Sequence, residues 1–320
     1  MADNQYAFPT EVLSLPSKGL LYPKDSPLSS GTIEVKYMTA KEEDILTSTN
    51  LIEKGLVIDK LLSSVIADPK VKLDDLLIGD KNALMLGTRV LGYGKDYEVT
   101  IEDPDTGLDV EHTFDLTKLE HKKVDAKTLK GGENKFSFTL PNSKRVIEFK
   151  LLTHKDERNI DSDLKGLEKI SKVTGVQSQL TTRLKHQIIS VDGETDKKFI
   201  SNFVDNEFLA LDTKEFRNYH NSIQPDIIFE QEYTNELGES HTVNIPIGIR
   251  FFGLRAKDKS YIHDEIHSLI YHGEGFTFTE AYSMPIYLRR YYINKLIETR
   301  KEENKQSQKS QMPHERFKKS

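Results

Sequence analysis

Two stretches of this chain spell nearly the same thing, and that repetition limits what it can fold into more than any other feature. Residues 32–39 read TIEVKYMT and residues 146–153 read VIEFKLLT, at an offset of 114, with Ile, Glu, Lys and Thr identical in register. Each runs directly into a charged stretch, AKEEDI in one case and HKDERNI in the other. Further on, residues 74–91 (DDLLIGDKNALMLGTRVL) align with 206–223 (NEFLALDTKEFRNYHNSI) at an offset of 132, so the second copy carries an insertion of 18 in the helical stretch between the matches. A third match is a pair of hairpins, YEVTIEDPDTGLDVEHTFDL and IFEQEYTNELGESHTVNIPI. Such a repeat predicts two like-folded units and favours a scaffold over a one-pocket enzyme.

Composition agrees with a soluble protein of several units. A length of 320 residues suits about two domains of roughly 100–150 residues each. The net charge of −6 argues against attraction of the whole molecule to nucleic acid or to an anionic membrane. With no cysteine there is no disulfide, no thiol nucleophile and no thiolate metal site. The first residues lack the basic-then-apolar order of a secretory signal, and no apolar run approaches the length of a membrane span.

The order of elements follows from periodicity and punctuation. Residues 1–31, with Pro9, Pro16, Pro23 and Pro27, read as an extended, irregular N-terminal arm lying on something else. Ile33, Val35 and Tyr37 alternate with polar residues as a strand, and Thr39 with Glu42 forms a capping box for the helix that follows. A second helix ends at Asp68-Pro69, and Asp80 is expected to cap a third, closed by Gly92 and Gly94. A hairpin through Tyr97, Val99, Ile101 and Phe114 completes a first unit over 32–116, with Val99 and Ile101 expected opposite Phe114. The charged stretch 117–134 reads as a linker. The second unit, 135–255, repeats the plan with longer helices, one spanning 176–191 and another starting at Asp212, and a hairpin pairing Phe229 with Val243 and Ile245. Residues 256–300 have no counterpart in the first half and read as C-terminal helices with a kink or fresh start at Pro285, and 301–320 as a disordered tail.

Several places invite a chemical reading. His263 and His267 stand at i, i+4, but the slot for the general base of an H-E-x-x-H site holds Asp264, so a solvated helix face is the better reading. Gly92-Tyr93-Gly94-Lys95 leaves a helix and enters a strand, the reverse of a phosphate-binding loop. Tyr287, Arg289, Arg290, Tyr291 and Tyr292 mix basic and aromatic groups in the manner of a nucleic-acid surface, yet Tyr and Arg are equally the usual anchors of protein interfaces. In an acidic protein the interface reading prevails, with Tyr282, Met284, Tyr287, Arg289, Arg290, Tyr291 and Tyr292 as candidate partner-binding residues. Apolar groups surround more than one face of this segment, and a helix on a monomer's surface needs only one such stripe.

TIEVKYMTAKEEDILTSTNLIEKGLVIDKLL, TTRLKHQIISVDGETDKKFISNFV, LDTKEFRNYHNSIQPDI and the closing GFTFTEAYSMPIYLRRYY, in that order, resemble the baseplate hub or hub-assembly protein family of T-even-like contractile-tailed phages. The resemblance runs from Leu15 to about Tyr292, apart from the linker. It implies a structural or assembly role with no reaction catalysed, other baseplate or tail proteins as partners, and a place in the virion tail baseplate or in the host cytoplasm during assembly. Hairpin turns of such proteins often carry paired cysteines that form a zinc knuckle. Here Asp103 and Thr106 stand where the thiols would be, and the second turn reads TNELG, so the resemblance implies intact hairpins without metal or other cofactor. The expected architecture is α+β: two related strand–helix–hairpin units, arising by internal duplication and packed as a pseudo-dimer, plus a C-terminal helical extension. The alternative function is a nucleic-acid-binding phage factor using Arg289, Arg290 and the basic tail.

Overall fold

A computed structural model describes residues 9–129, 132–174, 179–235 and 237–311. The chain is α+β, with helices built around small antiparallel sheets. The first strand, β1 (Thr10–Ser14), pairs antiparallel with β2 (Thr32–Lys36), placing Leu13 opposite Ile33 and Glu11 opposite Val35. The segment read as an arm therefore lies on its own unit. Its connecting loop drives Leu15, Leu21, Tyr22 and Leu28 into the core. Thr39 caps α1 (Ala40–Leu46) in the predicted box with Glu42. Helices α2 (Thr49–Glu53) and α3 (Val57–Val65) follow, and Ile66 returns to bridge Val35.

Helix α4 (Ile78–Tyr93) begins two residues before Asp80, and Leu77 is its N-cap. Asp80 does not cap the helix. Its carboxylate accepts from the Ser17 N–H (3.0 Å), the Ser17 hydroxyl (2.6 Å) and the Tyr22 hydroxyl (2.6 Å), so it pins the β1–β2 loop to the helix. The hairpin of β3 (Asp96–Glu102) and β4 (Asp109–Asp115) sets Phe114 opposite Tyr97, while Val99 faces His112 and Ile101 faces Val110. The expected partners of Phe114 are thus displaced by one register step or more. The 117–134 stretch is tied down where it is described: His121 bridges Ile227, the Lys122 N–H donates to the Asp226 carbonyl, and Leu129 is buried. Gly131 lies outside the described residues.

The second half follows the same order. Strands β5 (Phe136–Thr139) and β6 (Val146–Phe149) pair, and Thr153 with Asp156 forms a capping box at the start of α5 (His154–Thr174). After α6 (Gln179–Gln187) comes a difference from expectation: residues 188–191 form β7 (Ile188–Val191), the third strand of the sheet, and are not helical. Ile-Ile-Ser-Val is β-branched and buried on both faces, and such a short run cannot be told from a helix end by periodicity. The extra residues of the second half therefore fall partly in the helices and partly around β7 and α7 (Lys197–Asn202). Helix α8 (Ala210–Ile223) buries Asp212, which accepts from the backbone N–H groups of Asn142 (2.8 Å) and Ser143 (2.9 Å) in the β5–β6 turn. Strands β8 (Glu230–Thr234) and β9 (Ser240–Asn244) close the half, with Gln231 rather than Phe229 opposite Val243 and the Ile245 N–H bonded to the Phe229 carbonyl.

One apolar core runs through both halves, from Leu15 to Ile286. At their junction the Ile78 N–H donates to the Leu152 carbonyl, and the His154 N–H to that of Leu76. Gly79 lets α4 approach closely, because a Cβ there would overlap the Pro225 carbonyl oxygen. Arg89 locks the far end of α4 by donating to the carbonyls of Phe251 (2.9 Å), Gly94 (2.9 Å) and Asp96 (3.1 Å).

Candidate functional site

The C-terminal extension consists of α9 (Lys259–His272), α10 (Phe278–Ser283) and α11 (Ile286–Gln311). Thr277 and Glu280 form a capping box for α10. Pro285 supplies a fresh helix start: its carbonyl accepts from the N–H groups of Leu288 and Arg289, and Ile286 opens α11. A small second core of Ala40, Ile262, Ile266, Leu269 and Ala281 fixes α9 and α10 to α1.

The structure divides the seven candidate interface residues. Met284 is buried, and Arg289 is fully buried between two carboxylates, bonded to Glu43 and to Glu265 (2.9 Å). Both are therefore withdrawn from any surface, because α11 packs back on the first unit rather than standing free along its whole length. Burial pushes the Glu43 carboxyl up, and Arg289 opposes that shift. Tyr282 is half-buried, and its hydroxyl donates to Asp44 (2.6 Å). Burial and that bond push the phenol up to about 12. Arg290 is exposed and lies over the Tyr93 ring at 5.2 Å. Tyr287, Tyr291 and Tyr292 are exposed, with Tyr287 against Tyr37 and Tyr292 edge-on to Phe276. From Ile297 to Gln306 every residue of α11 is exposed. The helix runs on to Gln311 through sequence that read as a tail, helped by the ion pairs Lys295–Glu298 and Arg300–Glu303 and by the absence of Gly and Pro. Residues 312–320 lie outside the described residues.

The two hairpin turns meet. Asp103, at a position where the resemblance places a thiol, accepts from the backbone N–H groups of Asp105 (3.0 Å) and Thr106 (2.9 Å) and from the Tyr233 hydroxyl (3.0 Å) of the other hairpin. Burial raises its pKa, but these bonds outweigh it and hold the carboxyl down to about 2. Beside it, Asp105, Glu239 and His241 bring ligand atoms within 4.8 Å of one another, and His241 Nε2 is 2.6 Å from Asp105. The sequence concealed this group, because its members come from turns more than a hundred residues apart. Asp105 and Glu239 are exposed, so ordinary solvated charges explain the grouping equally well. On α9, His267 stacks on Tyr271, while His263 lies 3.8 Å from Asp44, so the pair is drawn to different neighbours.

A cleft of about 590 Å³ runs between the halves past Asp59, Lys81, His154, Glu157 and Arg158, with cations and carboxylates intermixed. Among the described residues no helix is long and apolar enough to cross a membrane. Neither the curated proteins nor the solved structures include a match to this chain. A family described as T4 bacteriophage base plate protein matches residues 20–253, which takes in both strand–helix–hairpin units and the buried Asp80 and Asp212 anchors, and the chain belongs to that family.

Proposed function

We propose that this chain is a structural component, or an assembly factor, of the baseplate hub, acting through protein contacts and catalysing no reaction. Membership of a baseplate family supports the setting, the phage tail, with other baseplate or tail proteins as partners and the host cytoplasm as the place where assembly proceeds. The observation that carries the interface is the exposure of Tyr287, Tyr291 and Tyr292, followed by Ile297, on a helix whose opposite side is locked by Ile286 and Arg289. Rigid aromatic groups held this way lose little freedom on binding, and burying each is worth about 1.5–3 kcal/mol. A nucleic-acid role would have to rely on Arg290 and the basic tail, because Arg289 is already neutralised by two carboxylates. No cofactor is assigned.

We infer further that the two units arose by duplication. Capping boxes at Thr39 and Thr153, and buried aspartates at Asp80 and Asp212 that each grip the loop between the first two strands, support that origin. The interface is tested by the double substitution Tyr291→Ser, Tyr292→Ser. The expected product is a folded protein with unchanged melting temperature that no longer co-sediments with the other baseplate proteins on co-expression. Undiminished assembly would overturn the assignment.

A further inference from the structure

A pocket of about 250 Å³ opens between α6, α8 and the first residue of α4, Ile78. Its floor is aliphatic: Leu152 and Leu184 are buried there, and Leu180 stands partly exposed at the rim. Two polar side chains that line it, Gln187 and His220, are each more than nine-tenths buried. The Gln187 amide nitrogen lies 3.2 Å from His220 Nε2 and donates to it, which fixes that imidazole as the neutral form. Arg183 of α6 and Arg217 of α8, both exposed, bring two guanidinium groups to the same lining.

The charge in this pocket is one-sided. Among the described residues that line it, none is acidic, and Arg217 has no ion-pair partner among the described residues. Arg183 reaches Glu157 only at 3.4 Å, and that carboxylate also serves Lys81 at 3.3 Å. Asp226, two residues beyond Gln224 of the lining, is taken by the Asn82 amide (3.0 Å) and by the Ile227 N–H (2.8 Å). Lys122 adds a further cation nearby, its ammonium donating to the Asn221 carbonyl. His220 registers this field. Burial pushes its imidazole down to about 4 against a bond from Asn221, and Arg183 and Lys122 push it the same way. The contrast is with Arg289, which the chain neutralises with two carboxylates of its own.

We propose that this pocket binds a carboxylate carried on an apolar stem, with Arg217 and Arg183 gripping the carboxylate and the leucines enclosing the stem. Guanidinium groups take carboxylate and phosphate alike through paired N–H bonds. The lining decides between them: an aliphatic floor has nothing to offer inorganic phosphate, and His220, being neutral, supplies no further charge for a dianion. The Gln187 amide keeps a second N–H for the ligand, since only one is spent on His220. The volume is below the roughly 300–1,000 Å³ of most small-molecule sites and suits a group the size of one side chain. Two sources carry that chemistry, an acidic side chain beside an apolar one on a partner protein, and a free short-chain acid. No residue of α11 lines the pocket, so the inference does not rest on the exposed tyrosines.

The test titrates full-length protein, isotope-labelled at its histidine rings, with 4-methylpentanoate and follows the rings by NMR. The acid should bind saturably with roughly millimolar affinity, as expected of so small a ligand. It should also raise the His220 pKa from about 4 towards its ordinary value, because a bound anion favours the imidazolium. The neutral 4-methylpentanamide and inorganic phosphate should do neither. Arg217→Gln should weaken the acid about tenfold or more, whereas Lys214→Gln, which removes the same charge from the same helix outside the pocket, should not. Absence of saturable binding overturns the proposal, as does binding indifferent to Arg217→Gln or matched by phosphate. If Arg217→Gln melts early, Leu180→Glu replaces it, setting a tethered carboxylate at the rim, and the same outcomes decide. Co-sedimentation of folded Arg217→Gln with the co-expressed baseplate proteins then separates the sources: its loss assigns the carboxylate to a partner, and its retention assigns a free acid. The substitutions at Tyr291 and Tyr292 report on α11 alone, so either reading can fail without the other.

Discussion

Asp80→Ala should be among the most damaging single substitutions outside the apolar core. The carboxylate accepts three hydrogen bonds at 2.6–3.0 Å from the β1–β2 loop. The Tyr22 hydroxyl cannot turn elsewhere, because its oxygen already accepts from the Leu77 N–H (2.9 Å). Removing the acceptor strands three buried donors, each costing about 1–3 kcal/mol, and water entering the vacated space recovers part of that. A net loss of roughly 3–5 kcal/mol follows, a fall in melting temperature of about 4–8 °C for a chain this long. Denaturant unfolding followed by circular dichroism measures it, and limited proteolysis should show new cutting within residues 15–31. Asp80→Asn keeps the shape and one acceptor and should cost less. It also carries a pH signature. Burial pushes the Asp80 carboxyl up despite bonds from Ser17 and Tyr22. The native state then holds this proton more tightly than the unfolded state, so stability falls as pH rises from about 4 through the raised native pKa. Asp80→Asn removes that descending contribution. A loss below about 1 kcal/mol for Asp80→Ala would refute the anchoring role.

Other perturbations follow from the same geometry. Arg289→Met should destabilise by about 3–5 kcal/mol in thermal or denaturant unfolding, because it leaves Glu43 and Glu265 buried without their cation. His220 is buried and held at about 4, chiefly by burial and further by Arg183 and Lys122. The unfolded state takes up its proton near pH 6.5 and the native state does not, so this stabilising contribution is present above about pH 6.5 and is lost as pH falls to about 4. His220→Gln should flatten that limb of the stability–pH curve. EDTA should leave the melting temperature unchanged, and a drop of several degrees reversed by zinc would make Asp105, Glu239 and His241 a structural metal site.

Local chemistry was legible in the sequence, and distant partners were not. Thr39 and Glu42 announce a capping box because both halves of the motif lie within one turn. Pro285 announces a helix start because its ring forbids the preceding residue from continuing a helix. Asp80 looked like a cap for the same local reason, since an aspartate near a helix start usually serves as one. Its real partners lie some sixty residues away in a loop whose prolines suggested an arm. Ile188–Val191 was lost to periodicity, because three buried residues and a half-buried one fit a helix end as well as a short edge strand. Arg289 offered no local sign of burial: Glu43 is 246 residues distant in sequence, and a charged residue between two exposed-looking tyrosines reads as surface. Of the interface candidates, the structure leaves Tyr287, Arg290, Tyr291 and Tyr292 exposed and buries Met284 and Arg289.

The boundary of the family match bears on how the two ends of the molecule are finished. The match closes at Gly253, before α9 begins. Within residues 20–253 the strand–helix corner at Leu152 is covered by α4, but the corner at Met38 is covered by Ile286 and Arg289 and, at Ala40, by α9 and α10, all of which lie beyond the match. In this chain the C-terminal extension supplies that cover, where a buried Glu43 would otherwise face no cation. It also places the exposed tyrosines of α11 directly outward from the joint they help to close, so a partner that pulls on that helix would act on the corner beneath it.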